Sequence, residues 1–297
     1  MSPPCTRIRR AGFSLVELMV VLVVVVILIA ISIPVLGRMR EIARRRNCQQ
    51  NLTRLALAVQ AYQTSQEHLP AGTWTFNAAV GNDQPNSNRL PIRSLPDGYH
   101  HNWITGLLPE LDQATMHASI NRQVSIYAPD NRHVREQMLS GGRCPAASER
   151  VKAVGTTYAG VHASTETPID TSNNGLLFAN RWIYPDEISD GASYTALIAE
   201  HVTPPLLELG WYSGTRSTLR NGGHPINHTF LQDGFRWDGE TEDSPTIVPE
   251  FVGGIGSFHP SGAQVALADG SVHFYDESMD QTLLQQLTAR SDQSNTD

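Results

Sequence analysis

The sequence contains few of the patterns that would indicate an enzyme or a metal protein. It has three cysteines, Cys5, Cys48 and Cys144, and none of them lies in the paired spacing of a zinc ribbon. The patterns His-Glu-x-x-His, Gly-x-Ser-x-Gly and the Walker loop are absent, and the glycines of VGGIGSFH have the wrong spacing for dinucleotide binding. Because no motif supplies a nucleophile, a base and an orienting group, we predict that the protein is not an enzyme and needs no cofactor.

Positive charge is scarce outside the N-terminal region. Residues 1–46 hold eight arginines and two glutamates, which leaves 14 basic and 27 acidic side chains, of 22 and 29 in total, for residues 47–297. Phosphate binding needs a basic face, so this acidic remainder argues against nucleic acid as a partner. Aromatic residues make up only 7% of the chain and are scattered, which gives no support for a carbohydrate-binding platform.

Long apolar stretches are also absent, with one exception: GFSLVELMVVLVVVVILIAISIP, which begins at Gly12. No charge occurs from Leu18 to Leu36, and about 20 apolar residues at ~1.5 Å each can span a bilayer core. Glu17 lies near the start, where an ionised side chain costs roughly 2.5–3.5 kcal/mol. A secretory signal peptide has a shorter apolar core, and a plain signal anchor leaves Glu17 unexplained.

The segment RRAGFSLVELMVVLVVVVILIAISIP resembles the N-terminal cleavage and methylation segment of type IV pilins and type II secretion pseudopilins. The resemblance implies that prepilin peptidase removes a cytoplasmic leader, residues 1–12, by cutting after Gly12, and that the new N-terminus, Phe13, is methylated. It also implies that Glu17, at the fifth mature position, pairs with the N-terminal ammonium of a neighbouring subunit during assembly. Ala11 departs from the family, in which many members have Lys or Arg, but upstream arginines keep the leader basic.

Helical periodicity continues beyond the apolar run. The segment CQQNLTRLALAVQAYQTSQEHLP places apolar side chains at helical spacing, and Pro70 and Gly72 end the pattern. We therefore predict a transmembrane half of the helix over residues 13–36 and a helical spine over residues 37–68 that packs on a domain. The apolar stripe of the spine comprises Leu52, Leu55, Ala56, Val59 and Tyr62.

Residues 69–297 form the predicted globular domain. They are rich in Gly, Pro, Asn and Asp, with strand-like runs at TTYAGVHA, GLLFA, SYTALIAEHV and AQVALADGSVHFY. In the last run Asp269-Gly270 favours a two-residue type I′ hairpin turn, and DQTLLQQLTAR predicts a C-terminal helix with Leu283, Leu284 and Leu287 on its apolar face. We predict an α+β, pilin-like fold, in which the long N-terminal helix packs on an antiparallel β-sheet domain with short helices and long loops.

The C-terminal region carries a second resemblance. Blocks that run in order from NCQQNLTRLALAVQAY through EISDGASYTALIAE to SFHPSGAQVALADGSVHFYDE are similar to those of a prepilin-like family with a domain of unknown function. That family is recognised by a His, nine residues and Asp-Gly, which His259, Asp269 and Gly270 match. His259 and Asp269 could form a ligand pair or catalytic dyad. We favour a structural role, because Asp-Gly already has a complete explanation as a turn.

Two further sites are open at this point. Cys48 and Cys144 remain as a pair if Cys5 leaves with the leader, and an exported pair that can meet in space usually oxidises to a disulfide; two buried free thiols are the alternative. The resembled family also places cysteines near both positions. The segment QDGFRWDGETEDSP offers the oxygens that Ca²⁺ prefers, but no EF-hand spacing, and a solvated acidic loop is the alternative. The carboxylates of this segment belong to Asp233, Asp238, Glu240, Glu242 and Asp243.

The leading hypothesis is a pseudopilin-like structural protein that crosses the cytoplasmic (inner) membrane once. Its N-terminus would be cytoplasmic and its C-terminal domain periplasmic or extracytoplasmic. Its partners would be prepilin peptidase/methylase and, through the N-terminal helix, like subunits or other pseudopilins. The alternative is a membrane-anchored extracytoplasmic binding module that does not polymerise.

Overall fold

The computed structural model describes residues 15–75, 90–147, 151–203, 207–228 and 248–291, apart from the side chains of residues 32 and 34–36. The chain forms two units, an N-terminal unit, Met1–Ala43, and a second unit, Arg44–Asp297. Helix α1, Leu15–Gln66, contributes residues to both units. The spacing of apolar residues predicts a helix end near His68, and the helix ends two residues earlier, where Glu67 adopts a positive φ of 69°.

In the N-terminal unit, α1 presents an apolar surface around its circumference. The described large apolar side chains of residues 15–33 are between 46% and 71% exposed. The sequence predicts a transmembrane half over residues 13–36. In the part of the chain that the structure describes, no helix is both long enough and apolar enough to cross a membrane.

In the second unit, the rest of α1 packs into the core by the stripe that its periodicity predicts. Leu52, Leu55, Ala56 and Val59 are at most 3% exposed, and Tyr62 is partly buried against the same cluster. Apolar residues at spacings of three and four share one face of a helix, so the stripe identifies the buried face directly. This part of the prediction is confirmed.

The second unit contains a five-stranded sheet. Its strands are β3 Tyr158–Ala163, β4 Ala196–Glu200, β5 Leu219–Asn221, β6 Gly262–Leu267 and β7 Val272–Asp276. Their order in the sheet is β5-β3-β4-β6-β7. Four of the strands pair antiparallel, but β3 and β5 are parallel, so the sheet is mixed and the expectation of a purely antiparallel sheet is wrong at this edge. A long connection separates β5 from β4, and only a short hairpin loop forces the next strand to run antiparallel.

Shorter elements complete the second unit. A two-stranded antiparallel sheet pairs β1, Thr73–Trp74, with β2, His101–Asn102. Asn102 caps the next helix, because its side chain accepts a hydrogen bond from the Thr105 amide. The remaining helices are α2 Trp103–Leu107, α3 Ala114–Ser119, α4 Arg132–Arg135 and α5 Gln281–Thr288, with 3₁₀ turns at Pro129–Asn131 and Pro185–Glu187.

The sheet has a buried cluster on each face. Alternate residues of β6, Ala263, Val265 and Leu267, pack with Leu284 of α5, whereas Ala266 belongs to the larger cluster that contains the α1 stripe. This alternation follows from the two-residue period of a strand. Helices α1 and α5 therefore cover opposite faces of the sheet.

Two local expectations are wrong. The run GLLFA is buried but is not a strand of the large sheet, because the amides of Leu176 and Leu177 both donate to the Val161 carbonyl oxygen instead of forming a ladder. Leu283 is 55% exposed, although Leu284 beside it is fully buried. A two-turn helix on a sheet buries a narrow stripe, which here excludes Leu283.

Candidate functional site

Two regions of the chain concentrate unusual chemistry, and the first is the N-terminal end of α1. Glu17 lies in the first turn of the helix and is exposed, as are the apolar side chains that follow it. A carboxylate is favoured there by the positive end of the helix dipole. Gly12 and Phe13, the predicted processing residues, lie outside the described residues.

The second region is a buried quartet of potential ligands: Cys48, Cys144, Glu200 and His259. Each is at most 3% exposed, and one donor atom from each lies within 4.8 Å of the other three. The two cysteines form a disulfide with a Cα–Cα distance of 5.1 Å. His259 Nε2 lies 3.2 Å from Cys144 Sγ and 3.4 Å from Glu200 Oε1, so the imidazole lies between the disulfide and the carboxylate.

Different elements hold the members of the quartet. Cys48 comes from the buried face of α1, and Glu200 is the last residue of β4. The Gln264 amide of β6 donates to Glu200 Oε2 at 2.9 Å, which fixes the carboxylate and directs Oε1 toward the imidazole. The Cys144 amide donates to Thr157 Oγ1 at 2.7 Å, just before β3. Since three strands and α1 meet here, the cluster is a product of the complete fold.

The spacing of His259, Asp269 and Gly270 has a different structural basis from a catalytic dyad. Strand β6 separates His259 from the hairpin, and a six-residue strand is about 20 Å long. Asp269 is exposed, and its Oδ1 accepts from the Ser271 amide at 2.9 Å and from Ser271 Oγ at 2.6 Å. The structure therefore does not bring His259 and Asp269 together.

The hairpin between β6 and β7 differs from the expected two-residue type I′ turn. Leu267 and Ser271 flank a three-residue loop, with the Leu267 amide donating to the Ser271 carbonyl oxygen, and of Asp269 and Gly270 only Gly270 has a positive φ, 87°. A type I′ turn needs two positive φ angles, whereas a type I turn followed by one left-handed residue needs only one. A Cβ on Gly270 would lie 2.7 Å from the side-chain nitrogen of Gln60, Nε2, so the loop packs against α1.

Another buried polar group was not predicted from the sequence, because it belongs to no recognisable motif. Arg220 is fully buried, and its guanidinium donates to the Val252 carbonyl oxygen at 2.6 Å and to Thr203 Oγ1 at 2.6 Å. Burial, with a smaller effect of Arg216, lowers the pKa of Arg220 to about 9. Burial also raises the pKa of Glu208 to about 7. Together these groups form a polar interior beside β5.

The structure does not test the predicted calcium site. The carboxylates Asp233, Asp238, Glu240, Glu242 and Asp243 all lie in a segment outside the described residues. Within the described residues, the quartet around His259 is the group of ligand-type side chains whose donor atoms converge. Glu200 was the member that the sequence analysis missed; its signal was a carboxylate at the end of a strand that is otherwise apolar.

Comparison with known proteins places the chain in its context. The prokaryotic N-terminal methylation motif matches residues 7–33, and the family described as "Protein of unknown function (DUF1559)" matches residues 37–282. The chain is similar to competence protein ComGC of Halalkalibacterium halodurans, with 28% identity over 88 residues, which cover 29% of this chain and 86% of that protein. No solved structure matches.

These matches confirm the resemblance to prepilin-like proteins that the N-terminal sequence indicates. The methylation motif covers the apolar run and Glu17, and the DUF1559 match covers most of the second unit. The chain carries a prokaryotic N-terminal methylation motif and belongs to the DUF1559 family.

Proposed function

We propose that the protein is a pseudopilin-like assembly subunit that is anchored and polymerised through the first half of α1. The observation that carries the proposal is the apolar surface of residues 15–33, which is exposed around the helix and contains one carboxylate, Glu17. A helix that is apolar on all sides is stable only when lipid or other helices shield its surface from water. The methylation motif and the similarity to ComGC support the same function.

The proposed assembly step depends on charge pairing in an apolar setting. Prepilin peptidase/methylase would cut after Gly12 and methylate Phe13, which leaves an ammonium group at the new N-terminus. The Glu17 carboxylate of one subunit would then pair with the ammonium of a neighbouring subunit. Removing one partner of a buried pair leaves an uncompensated charge, which costs about 3–5 kcal/mol. That penalty makes the register of assembly specific.

The proposal also gives the protein a location. Residues 1–12 would stay in the cytoplasm, residues 13–36 would lie in the cytoplasmic membrane or the filament core, and residues 69–297 would lie outside the cytoplasm. Residues 37–68 would continue the helix as the spine of the globular domain. The acidic balance of residues 47–297 keeps the exported part soluble and free of nucleic acid.

A direct test compares Glu17→Ala with Glu41→Ala, which removes a carboxylate of the same helix outside the apolar run. Intact mass and N-terminal sequencing of protein from its native membrane report processing, and crosslinking followed by sedimentation reports assembly. We expect both variants to begin at methylated Phe13 and only Glu17→Ala to lose the multimers. Retention of residues 1–12 would refute the processing route, and multimers of Glu17→Ala that match the parent would refute the assembly role.

A second candidate function has one observation in its favour. A surface groove of about 570 Å³ lies between α5 and the loop after β3, and the side chains that line it are neutral. Hydroxyl and amide groups in such a groove are suited to a polar, uncharged ligand. This arrangement favours an anchored binding module that does not polymerise, with Ser164, Asn173, Asn174, Thr282 and Gln285 among the lining residues. Unchanged sedimentation of Glu17→Ala together with a monomeric parent would favour this function.

A further inference from the structure

We propose that Cys48, Cys144, Glu200 and His259 form a latent tetrahedral Zn²⁺ site, which the disulfide keeps closed and a dithiol reductant opens. The inference rests on the arrangement of four buried donor atoms from four different parts of the fold. It is independent of the assembly function, because it concerns only residues of the second unit.

The distances between donors are those of a zinc site that is nearly formed. Zn²⁺ bonds of about 2.3 Å to sulfur and about 2.0–2.2 Å to nitrogen and oxygen place neighbouring ligands roughly 3.4–3.8 Å apart in a tetrahedron. His259 Nε2 lies 3.4 Å from Glu200 Oε1 and 3.2 Å from Cys144 Sγ, and no pair among the four donors exceeds 4.8 Å. Side-chain movements of about 1 Å would therefore complete the tetrahedron.

The carboxylate supplies an independent observation. Glu200 is 1% exposed, and its Oε1 accepts no hydrogen bond from any described residue, although Oε2 is held by the Gln264 amide. The polar neighbour of Oε1 is His259 Nε2 at 3.4 Å, and a buried carboxylate oxygen with only so long a contact is costly in a folded protein. Oε1 points at His259 Nε2, the ring nitrogen that also faces Cys144. A cation bound among these atoms would satisfy Oε1.

The donor set also fits the metal. Two thiolates, one imidazole and one carboxylate are ligand types that Zn²⁺ accepts in tetrahedral sites, whereas Ca²⁺ and Mg²⁺ prefer oxygen ligands alone. A disulfide that only crosslinks the fold needs no polar side chains beside it. Placing an imidazole and a carboxylate against it costs desolvation, which metal binding in the reduced state would offset.

The chemistry of opening balances with one reductant. A dithiol gives two electrons and two protons to the Cys48–Cys144 bond, which yields two cysteine thiols and the cyclic disulfide of the reductant. Zn²⁺ then displaces both thiol protons, forms two zinc–sulfur bonds and releases two protons to solvent. In the oxidised protein the two sulfurs are bonded to each other, so thiolate ligands are absent and the site is closed.

The test uses the full chain in detergent, reduced with a dithiol, freed of reductant under argon and titrated with Co²⁺ as a spectroscopic substitute for zinc. We expect one equivalent of Co²⁺ to give thiolate charge-transfer and tetrahedral d–d bands, and one equivalent of Zn²⁺ to abolish them. The oxidised protein should give neither band. Glu200→Gln and His259→Ala should weaken Zn²⁺ binding by about tenfold or more, whereas His273→Ala, at an exposed histidine, should bind as the parent does.

Folding is followed by near-UV circular dichroism in the same samples, so that every result is decisive. Reduced protein that stays folded but shows no tetrahedral Co²⁺ bands would overturn the proposal, and so would Glu200→Gln and His259→Ala variants with parental Zn²⁺ affinity. If the reduced chain unfolds in metal-free buffer, the proposal requires Zn²⁺ to restore the folded spectrum. Failure of Zn²⁺ to restore it would refute the site equally.

Discussion

Acid should destabilise the second unit because several histidines are buried in their neutral form. Burial lowers the pKa of His100, His101 and His162 from the usual 6.5 to about 4. The unfolded chain therefore binds protons at these sites between pH 6.5 and pH 4, whereas the folded chain does not. Stability rises with pH wherever the unfolded state binds more protons, so it must fall as the pH drops through this window.

The structure shows why His162 resists protonation. Its Nδ1 donates to Asn173 Oδ1 at 3.1 Å, and its Nε2 has no hydrogen-bond partner among the described residues. A proton on Nε2 would have no acceptor in a fully buried strand, and Arg220 adds repulsion. A pKa near 4 implies a loss of about 2 kcal/mol at pH 5 for each such histidine, since one pH unit is worth about 1.36 kcal/mol. Glu208, whose pKa burial raises to about 7, offsets the loss from one histidine.

His162→Asn isolates this effect, because the amide can keep the hydrogen bond to Asn173 but does not titrate. Unfolding by urea, followed by tryptophan fluorescence at pH 7.5 and pH 5, gives the free energy of unfolding of the parent and the variant. We expect the variant to be less stable at pH 7.5, since the smaller side chain leaves a cavity, but to lose about 2 kcal/mol less than the parent on acidification. His273→Asn, at an exposed site, should keep the parental pH dependence. An equal acid loss in His162→Asn and the parent would refute the reasoning.

Three further changes should lower stability by amounts that the local geometry sets, each measured as the free energy of unfolding in urea. Gly270→Ala should cost about 1–2 kcal/mol, because φ is 87° and the added Cβ would meet the side-chain amide of Gln60. An unchanged urea midpoint would contradict this. Asp280→Ala should cost about 1 kcal/mol, since its side chain caps α5 through the amides of Thr282 and Leu283, and Asp280→Asn is the control that keeps the cap. Replacing both Cys48 and Cys144 by Ala should cost about 4–5 kcal/mol, as the crosslink joins residues 96 positions apart, and a loss below about 1 kcal/mol would contradict this.

Features governed by local periodicity could be predicted from the sequence. The α1 stripe, β3, β4, the β6–β7 hairpin and α5 all occur where their patterns place them, because residue spacing reports directly on which face is buried. Gly270 was recognisable as a turn residue, but the turn type was not. The loop packs against Gln60, which lies far away in the sequence, and local residue patterns do not report such a contact.

Features that depend on long-range packing could not be predicted. Parallel pairing of β5 with β3 follows from the path of a long connection, and three residues of strand carry too little pattern to reveal it. Glu200 joins the cysteines only because the β4–β6 pairing brings the Gln264 amide to its carboxylate. Most of the hydrogen bonds that the Arg220 guanidinium makes go to backbone carbonyl oxygens, and no sequence pattern predicts such contacts.

The spacing of nine residues between His259 and Asp269 has a geometric explanation in this fold. Nine residues accommodate one buried strand, β6, with a short approach and the start of a turn. His259 lies at one end, against the disulfide that includes Cys48 of α1, and Gly270 lies at the other end, against Gln60 of the same helix. Cys48 and Gln60 are about 18 Å apart along the helix, close to the length of about 20 Å for six residues of strand. The spacing of nine residues therefore matches the distance between two contacts of this strand with α1, and a catalytic pairing is not needed to account for it.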